Sequence, residues 1–191
     1  MYPNEYEIRI LSLYLRDYSA EYYLREISRQ AEISLKATQN GLQSLEQQKI
    51  LLSRIHGKNK YFRLNRENIQ TKLYLTHAEI YRTNLFFEKY PIIKLFAKEL
   101  KTNTAKIIFG SFAKFSADKN SDLDLLIISK AKEKLPEHLL PNKIQQINIP
   151  EKDIARTMIR EPLMHEVAWH HIILNNHFFY VNLMWENEKR Y

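Results

Sequence analysis

The chain has 191 residues, no cysteine and only three glycines, Gly41, Gly57 and Gly110. Without cysteine it has no disulfides and no thiolate metal ligands, and a cytoplasmic setting is expected. No apolar run is long enough to cross a bilayer, and Met1-Tyr2-Pro3-Asn4 does not open a signal peptide, so no membrane role is expected. Internal repeats and low-complexity tracts are lacking too. What is present is 45% hydrophobic residues, enough for hydrophobic cores, and a formal net charge of +7, which suggests a polyanionic partner. Where glycine is this scarce, each one has a conformational or packing reason to be there.

In the N-terminal third, Ile8, Leu11, Leu15 and Tyr18 have helical spacing, which predicts a helix over 5–17. Ser19 is placed as the N-cap of a second helix, with Tyr23, Leu24, Ile27 and Ala31 inward. Ser34 caps a third, with Thr38, Leu42 and Leu45 inward. Gly41 falls inside this third helix, where it costs roughly 1 kcal/mol relative to alanine. Close approach to a neighbouring helix, or to DNA, would account for it. Ile50-Leu51-Leu52 and Tyr61-Phe62-Arg63-Leu64 read as two strands joined by the turn His56–Lys60, which contains Gly57.

Leu24-Arg25-Glu26-Ile27, Ile33-Ser34, Leu42-Gln43-Ser44-Leu45-Glu46 and Ile50-Leu51, in this order, resemble the winged helix-turn-helix domains of prokaryotic transcriptional regulators. The resemblance covers residues 5–66 of a domain placed at 1–68, and implies double-stranded DNA as a partner. It departs at Lys49, where the family usually has glycine before the wing strand. With Thr38, Leu42 and Leu45 inward, Lys36, Gln39, Asn40 and Gln43 face out. Asn and Gln can pair bidentately with adenine, and Lys can reach guanine or phosphate. Arg54, Lys58, Lys60 and Arg63, with His56, suit phosphates, and residues 49–66 hold six basic residues and no acidic one. The plain alternative is a polar helix face and a solvated basic turn, or a protein-interaction module.

Residues 69–90 read as a helical connector with a stripe of Ile69, Leu73, Ile80, Asn84 and Phe87. Further apolar residues widen the stripe, which serves either to pack the domains together or as a homodimer seam. Pro91 opens a helix to Leu100, and a strand follows at Ala105–Phe109. Ile144–Ile149 reads as a later strand, and Pro150 opens a helix with Ile154 and Met158 inside. Pro162 opens another helix, predicted to run to about Leu174 and to end at Asn175-Asn176.

The chemistry concentrates between these elements. An apolar run, Ile107-Ile108-Phe109, ends in Gly110-Ser111, and Asp122-Leu123-Asp124 leads into a second apolar run. On a strand, residues two apart point to one side, so Asp122 and Asp124 present paired carboxylates. Uncompensated, the two would raise one another's pKa. A divalent cation removes that penalty, and Mg2+ favours oxygen ligands shared with phosphates. Gly110 lets backbone amides approach an anion, a helix starting at Ser111 would favour phosphate, and Lys114 adds a cation one turn on.

The Gly-Ser turn with Asp-Leu-Asp-Leu beyond it resembles the minimal nucleotidyltransferases of the DNA polymerase β superfamily, over residues 91–191. The resemblance implies transfer of a nucleoside monophosphate from an NTP, ATP first among them, to an acceptor hydroxyl with Mg2+. By it, Asp122 and Asp124 are catalytic and hold metal, while Gly110, Ser111 and Lys114 bind nucleotide. Phe115 stands where such proteins commonly have glycine. Active members use a third carboxylate on a later strand, and the candidate position here is Asn148, with Glu151 and Asp153 falling beyond Pro150. An amide carries no charge and is a poor base.

An α+β fold of two domains is therefore expected, with three functional readings. The first is a DNA-binding regulator whose second domain binds, and can transfer, a nucleotide. The second is an antitoxin-type transferase modifying a partner protein or RNA, and the third a catalytically degenerate nucleotide sensor. His165-Glu166-Val167-Ala168-Trp169-His170 fails as a zinc-protease helix, because Trp169 stands where the second histidine belongs. His170, His171 and His177 are read as surface or partly packed side chains, and Phe178–Val181 as core or a dimer contact.

Overall fold

A 21-residue helix, Ile69–Lys89, carries the division of the chain into two units: residues up to Glu79 belong to one, Ile80–Asn187 to the other. The computed structural model describes residues 2–187, without the side chains of Ala155, Met158, Ile159 and Arg160.

The first unit opens with α1 (Glu5–Ser12), started by a capping box in which the Asn4 side chain accepts from the Glu7 amide and Glu7 accepts from the Asn4 amide. The helix tightens into a 3-10 turn at Leu13–Arg16. β1 (Tyr22–Tyr23), α2 (Leu24–Gln30), α3 (Leu35–Gln47), β2 (Leu51–His56) and β3 (Asn59–Leu64) follow. The strands form an antiparallel sheet in the order β1-β3-β2. Ile10, Leu11, Leu15, Ile27, Leu42, Leu45, Leu51 and Leu64 are buried. The Ser34 hydroxyl caps α3 by accepting from the Ala37 amide at 3.2 Å. A Cβ on Gly41 would lie 2.7 Å from Ile10 Cδ1, so the approach of α1 accounts for this glycine.

Ser19 does not cap a helix. Its hydroxyl donates to Asp17, and Tyr22 and Tyr23 first pair with Phe62 and Tyr61 as a third strand. A two-residue strand has no periodicity to betray it. The helix ends are also instructive. After α3, Ile50 N–H donates to Leu45 C=O at 2.9 Å and Lys49 N–H to Glu46 C=O at 3.0 Å, with Lys49 at φ 56°. This is the Schellman pattern, whose left-handed residue is usually glycine. Glu32, at φ 53°, takes the same place after α2.

The long helix, α4, buries Thr71, Tyr74, Leu75 and Ala78 in its first half and Thr83 and Phe86 in its second. Four members of the expected stripe are exposed in the single chain, Ile69 at 71%, Leu73 at 49% and Ile80 at 40%, with Asn84 beside them, so within one chain they are not core. Apolar residues surround this helix, so their period does not select a face. Two threonines sit inside because their hydroxyls find carbonyls: Thr71 donates to Asn65 C=O and Thr83 to Ile173 C=O, each at 2.8 Å.

The second unit continues with α5 (Pro91–Lys98), β4 (Lys106–Phe109), α6 (Gly110–Ala113), β5 (Leu123–Ile127), β6 (Ile144–Asn148), α7 (Glu151–Arg160), α8 (Pro162–Trp169), β7 (Ile172–Asn175) and α9 (His177–Asn187). The sheet order is β6-β5-β4-β7, with β5 and β6 parallel and the other pairs antiparallel. Ile93 and Phe96 of α5 pack with Ile108, Leu123, Leu125 and Ile127 in one core. Alternation along β5 therefore turns Asp122 and Asp124 to the opposite face. Lys106, fully buried, donates to Thr102 Oγ1 at 2.6 Å and Thr104 Oγ1 at 2.7 Å and lies 3.0 Å from Glu133, so its charge is satisfied.

The helix expected from Pro162 to Leu174 is cut short. α8 ends at Trp169, His170 is extended, and Ile172 and Ile173 pair with Ile108 and Ile107 as β7. A short apolar run reads equally as helix or strand, and here β4 supplies the edge that decides. In α7, Ile154 is buried; the Met158 side chain lies outside the described residues.

Candidate active site

The site is built on the turn that ends β4. Gly110 has φ 68°, and a Cβ there would collide with the Asp124 carboxylate. Glycine is thus required twice, for the backbone conformation and for the contact with Asp124. α6 begins at this glycine, and the amides of a first helical turn have no intrahelical acceptor. The turn closes with Ser116 N–H donating to Ser111 C=O at 3.0 Å and Phe115 at φ 59°. The Phe115 ring packs on Phe86, with centroids 5.9 Å apart, and on Tyr90. The following loop is pinned by Asp118, which accepts from the Asn120 amide and the Ser121 hydroxyl. These bonds, the one from Asn120 first, hold its carboxyl below the ordinary range.

Asp122 and Asp124 line one cavity of about 620 Å3 together with Gly110, Ser111 and Lys114. These are the five residues that the sequence pattern singles out for metal and nucleotide. Phe109, Ser116, Gln145, Ile147, Leu163 and Glu166 complete the lining. Burial raises the Asp124 pKa, the charges of Glu166 and Asp122 raise it further, and Lys114 opposes them. The pocket therefore disfavours its own negative charge and favours a cation.

Asn148 does not reach this cavity. It pairs with Ile127 in the parallel β5–β6 register, and its amide donates to Ala131 C=O at 2.9 Å. The β6 residues that do line the cavity are Gln145 and Ile147, and Gln145 Nε2 donates to Asp122 Oδ2 at 2.7 Å. One residue along a strand reverses the face, so the expected position points away from the cavity. The acid in the cavity that the sequence pattern missed is Glu166, on α8. Its carboxylate accepts from Lys114 Nζ at 2.6 Å. No local motif ties Glu166 to the aspartates; only the fold brings them together.

The donor set suits Mg2+ that arrives with phosphates. Two carboxylates project from one side of a strand, one of them destabilised by negative neighbours, and phosphate oxygens can fill the remaining positions. Among the described residues, no group of three or more His, Asp or Glu is arranged to hold a metal ion on its own. A second groove of about 620 Å3, lined by Lys98, Lys101, Lys134 and His138 among others, contains Glu99 as its sole acid and no carboxylate pair.

In the first unit, Lys36, Gln39, Asn40 and Gln43 are exposed on α3, away from buried Thr38, Leu42 and Leu45. The four hairpin cations are not equivalent. Arg54 presents two nitrogens to Glu21, the closer contacts at 2.7 Å, and Lys60 lies 2.7 Å from Glu46. Lys58 and Arg63 are exposed, as is His56. Strand alternation puts Lys60 on the side of Phe62 and turns Arg54 and Arg63 the other way. The acid-free stretch 49–66 thus acquires acids from elsewhere in the chain.

The histidines are scattered: His171 is buried with Nδ1 3.0 Å from Val167 C=O, and His177 Nε2 lies 3.1 Å from Thr83 Oγ1. Among the described residues no helix is long and apolar enough to cross a membrane.

No curated protein and no solved structure matches the chain. Residues 91–173 match the family model of the nucleotidyltransferase domain. That match takes in the whole cavity lining from Phe109 to Glu166, so the Gly-Ser turn and the aspartate pair lie within a segment similar to a nucleotidyltransferase domain.

Proposed function

We propose that the cavity binds a nucleoside triphosphate with Mg2+, ATP first among candidates, and transfers its nucleoside monophosphate to an acceptor hydroxyl. The observation that carries this is the close approach of Gly110 to Asp124, which sets a glycine turn against a carboxylate pair whose charge a cation would relieve. The backbone of Gly110 and Ser111 and the ammonium of Lys114 hold the phosphates. Asp122 and Asp124 hold the cation, with Gln145 fixing the orientation of Asp122. A bound Mg2+ supplies the positive charge that makes the α-phosphorus electrophilic and eases departure of pyrophosphate.

One observation favours a second reading, a nucleotide sensor with little turnover: beside Asp122, β6 offers the amide of Gln145 and not an acid. The two are separated by titrating the protein with ATP, CTP, GTP and UTP with and without Mg2+, and then offering α-labelled nucleotide with candidate protein and RNA acceptors. Label on an acceptor supports transfer. Binding without label favours the sensor, and absence of Mg2+-dependent binding to every nucleotide overturns both.

For the first unit, we infer a winged helix-turn-helix that binds double-stranded DNA. Its support is the helix-helix-hairpin order, with the amide-rich face of Lys36, Gln39, Asn40 and Gln43 left exposed. Binding to duplex DNA that does not weaken with salt, or no binding at all, contradicts it.

A further inference from the structure

The Lys114–Glu166 ion pair is the feature of the cavity that nucleotide binding leaves unexplained. Lys114 is the cation in the cavity lining, yet its ammonium is already occupied, 2.6 Å from the Glu166 carboxylate. Both side chains are partly open to solvent, at 41% and 39% exposure, so they can separate without tearing a buried charge from its partner. Glu166 comes from α8, lines the same cavity and lies near enough to add its charge to that of Asp122 on Asp124. On β6, the strand beside Asp122, the cavity-facing residues are Gln145 and Ile147, which bear no charge.

We propose that the Lys114–Glu166 pair is a latch opened by the nucleotide's phosphates, and that Glu166, once released, serves as the third acidic group of the site. This rests on the nucleotide-binding reading above and goes beyond it in one respect: it assigns the missing acid to a helix instead of a strand. An incoming polyphosphate, richer in charge than one carboxylate, takes Lys114. Glu166 is then left with an unpaired negative charge beside Asp122 and Asp124, and that concentration of charge is relieved when a divalent cation accompanies the nucleotide. The latch thus couples the two ligands. Phosphate binding without metal strands Glu166, whereas binding with metal satisfies it. Lys114 and Gln145 are the other non-acidic polar side chains that face this exchange, together with the hydroxyls of Ser111 and Ser116.

The latch predicts that one substitution changes binding without Mg2+ and the enhancement that Mg2+ brings. Half-exposed ion pairs are weak, so opening this one costs a ligand only about two- to fivefold in affinity. In full-length Glu166→Gln, a fluorescent ATP analogue therefore binds without Mg2+ about two- to fivefold more tightly than in the wild type. The strengthening that Mg2+ brings is correspondingly smaller in the variant. Lys114→Gln weakens binding under both conditions, because the phosphates lose their cation. The expected thermal midpoint of Glu166→Gln is close to that of the wild type, which separates these effects from unfolding. Glu166→Asp, with its shorter reach, checks the geometry and falls between the two. If Glu166→Gln binds the analogue equally or less well without Mg2+, or keeps the full Mg2+ enhancement, the latch is wrong while the nucleotide site stands. If the wild type binds no nucleotide under either condition, both are wrong.

Discussion

Lys49 is a residue at which substitution by glycine should stabilise the protein. It sits at φ 56° at the end of α3, where a left-handed side-chain-bearing residue costs about 1–2 kcal/mol. Glycine removes that cost but adds freedom to the unfolded chain, worth roughly 0.5–1 kcal/mol. The net gain for Lys49→Gly is about 0.5–1 kcal/mol. Nothing offsets it, because the Lys49 side chain is exposed, while its carbonyl, which accepts from Asn65 Nδ2 at 2.8 Å and Asn68 Nδ2 at 3.1 Å, is retained. Lys49→Ala keeps the backbone penalty and serves as the control. Urea unfolding followed by far-UV circular dichroism should show a higher midpoint for Lys49→Gly at an unchanged m-value, and almost no change for Lys49→Ala. An unchanged or lower midpoint in the glycine variant refutes the reasoning. Phe115→Gly tests it from the other side. The backbone relief is similar at φ 59°, but the ring that packs on Phe86 and Tyr90 is lost, so this variant should lose about 1–2 kcal/mol.

Gly110→Ala meets both a positive φ and the Asp124 carboxylate, so it should cost about 2 kcal/mol or more and abolish nucleotide binding, checked by melting and by titration. Asp124 has a raised pKa, so its charged form opposes folding at neutral pH and its protonated form does not. Asp124→Asn should therefore stabilise the metal-free protein at pH 7–8, and that gain should fade as pH drops through the carboxylate range; a variant less stable than wild type at neutral pH contradicts this. On duplex DNA, Lys58→Ala and Arg63→Ala should each reduce the salt slope by about one, whereas Arg54→Ala and Lys60→Ala should reduce it less, because Glu21 and Glu46 already neutralise those cations.

The parts of this protein that were legible in the sequence are those encoded locally. Gly110, Ser111, Lys114, Asp122 and Asp124 follow one strand, one turn and a period of two, and they meet in one cavity. Ser34 announces α3 by its own chemistry. The features that escaped depend on distant partners. β7 exists because β4 offers an edge to Ile172 and Ile173. The inner face of α4 includes Thr83, whose hydroxyl donates to Ile173 C=O far along the chain, and no apolar count contains that information. Gln145, not Asn148, faces the cavity because of a register that a five-residue strand leaves ambiguous. Glu166 reaches Lys114 only through the fold. Lys49 and Phe115 stand apart: both occupy positions where the families that the chain resembles commonly have glycine, and both have the positive φ that glycine would relieve.

The most direct measurement is a crystal structure of the full chain soaked with Mg2+ and a non-hydrolysable ATP analogue. The expected density puts the phosphates on the Gly110-Ser111 turn and a cation between them and the carboxylates of Asp122 and Asp124. A nucleotide bound elsewhere, or a cation that leaves those two carboxylates untouched, would contradict the site.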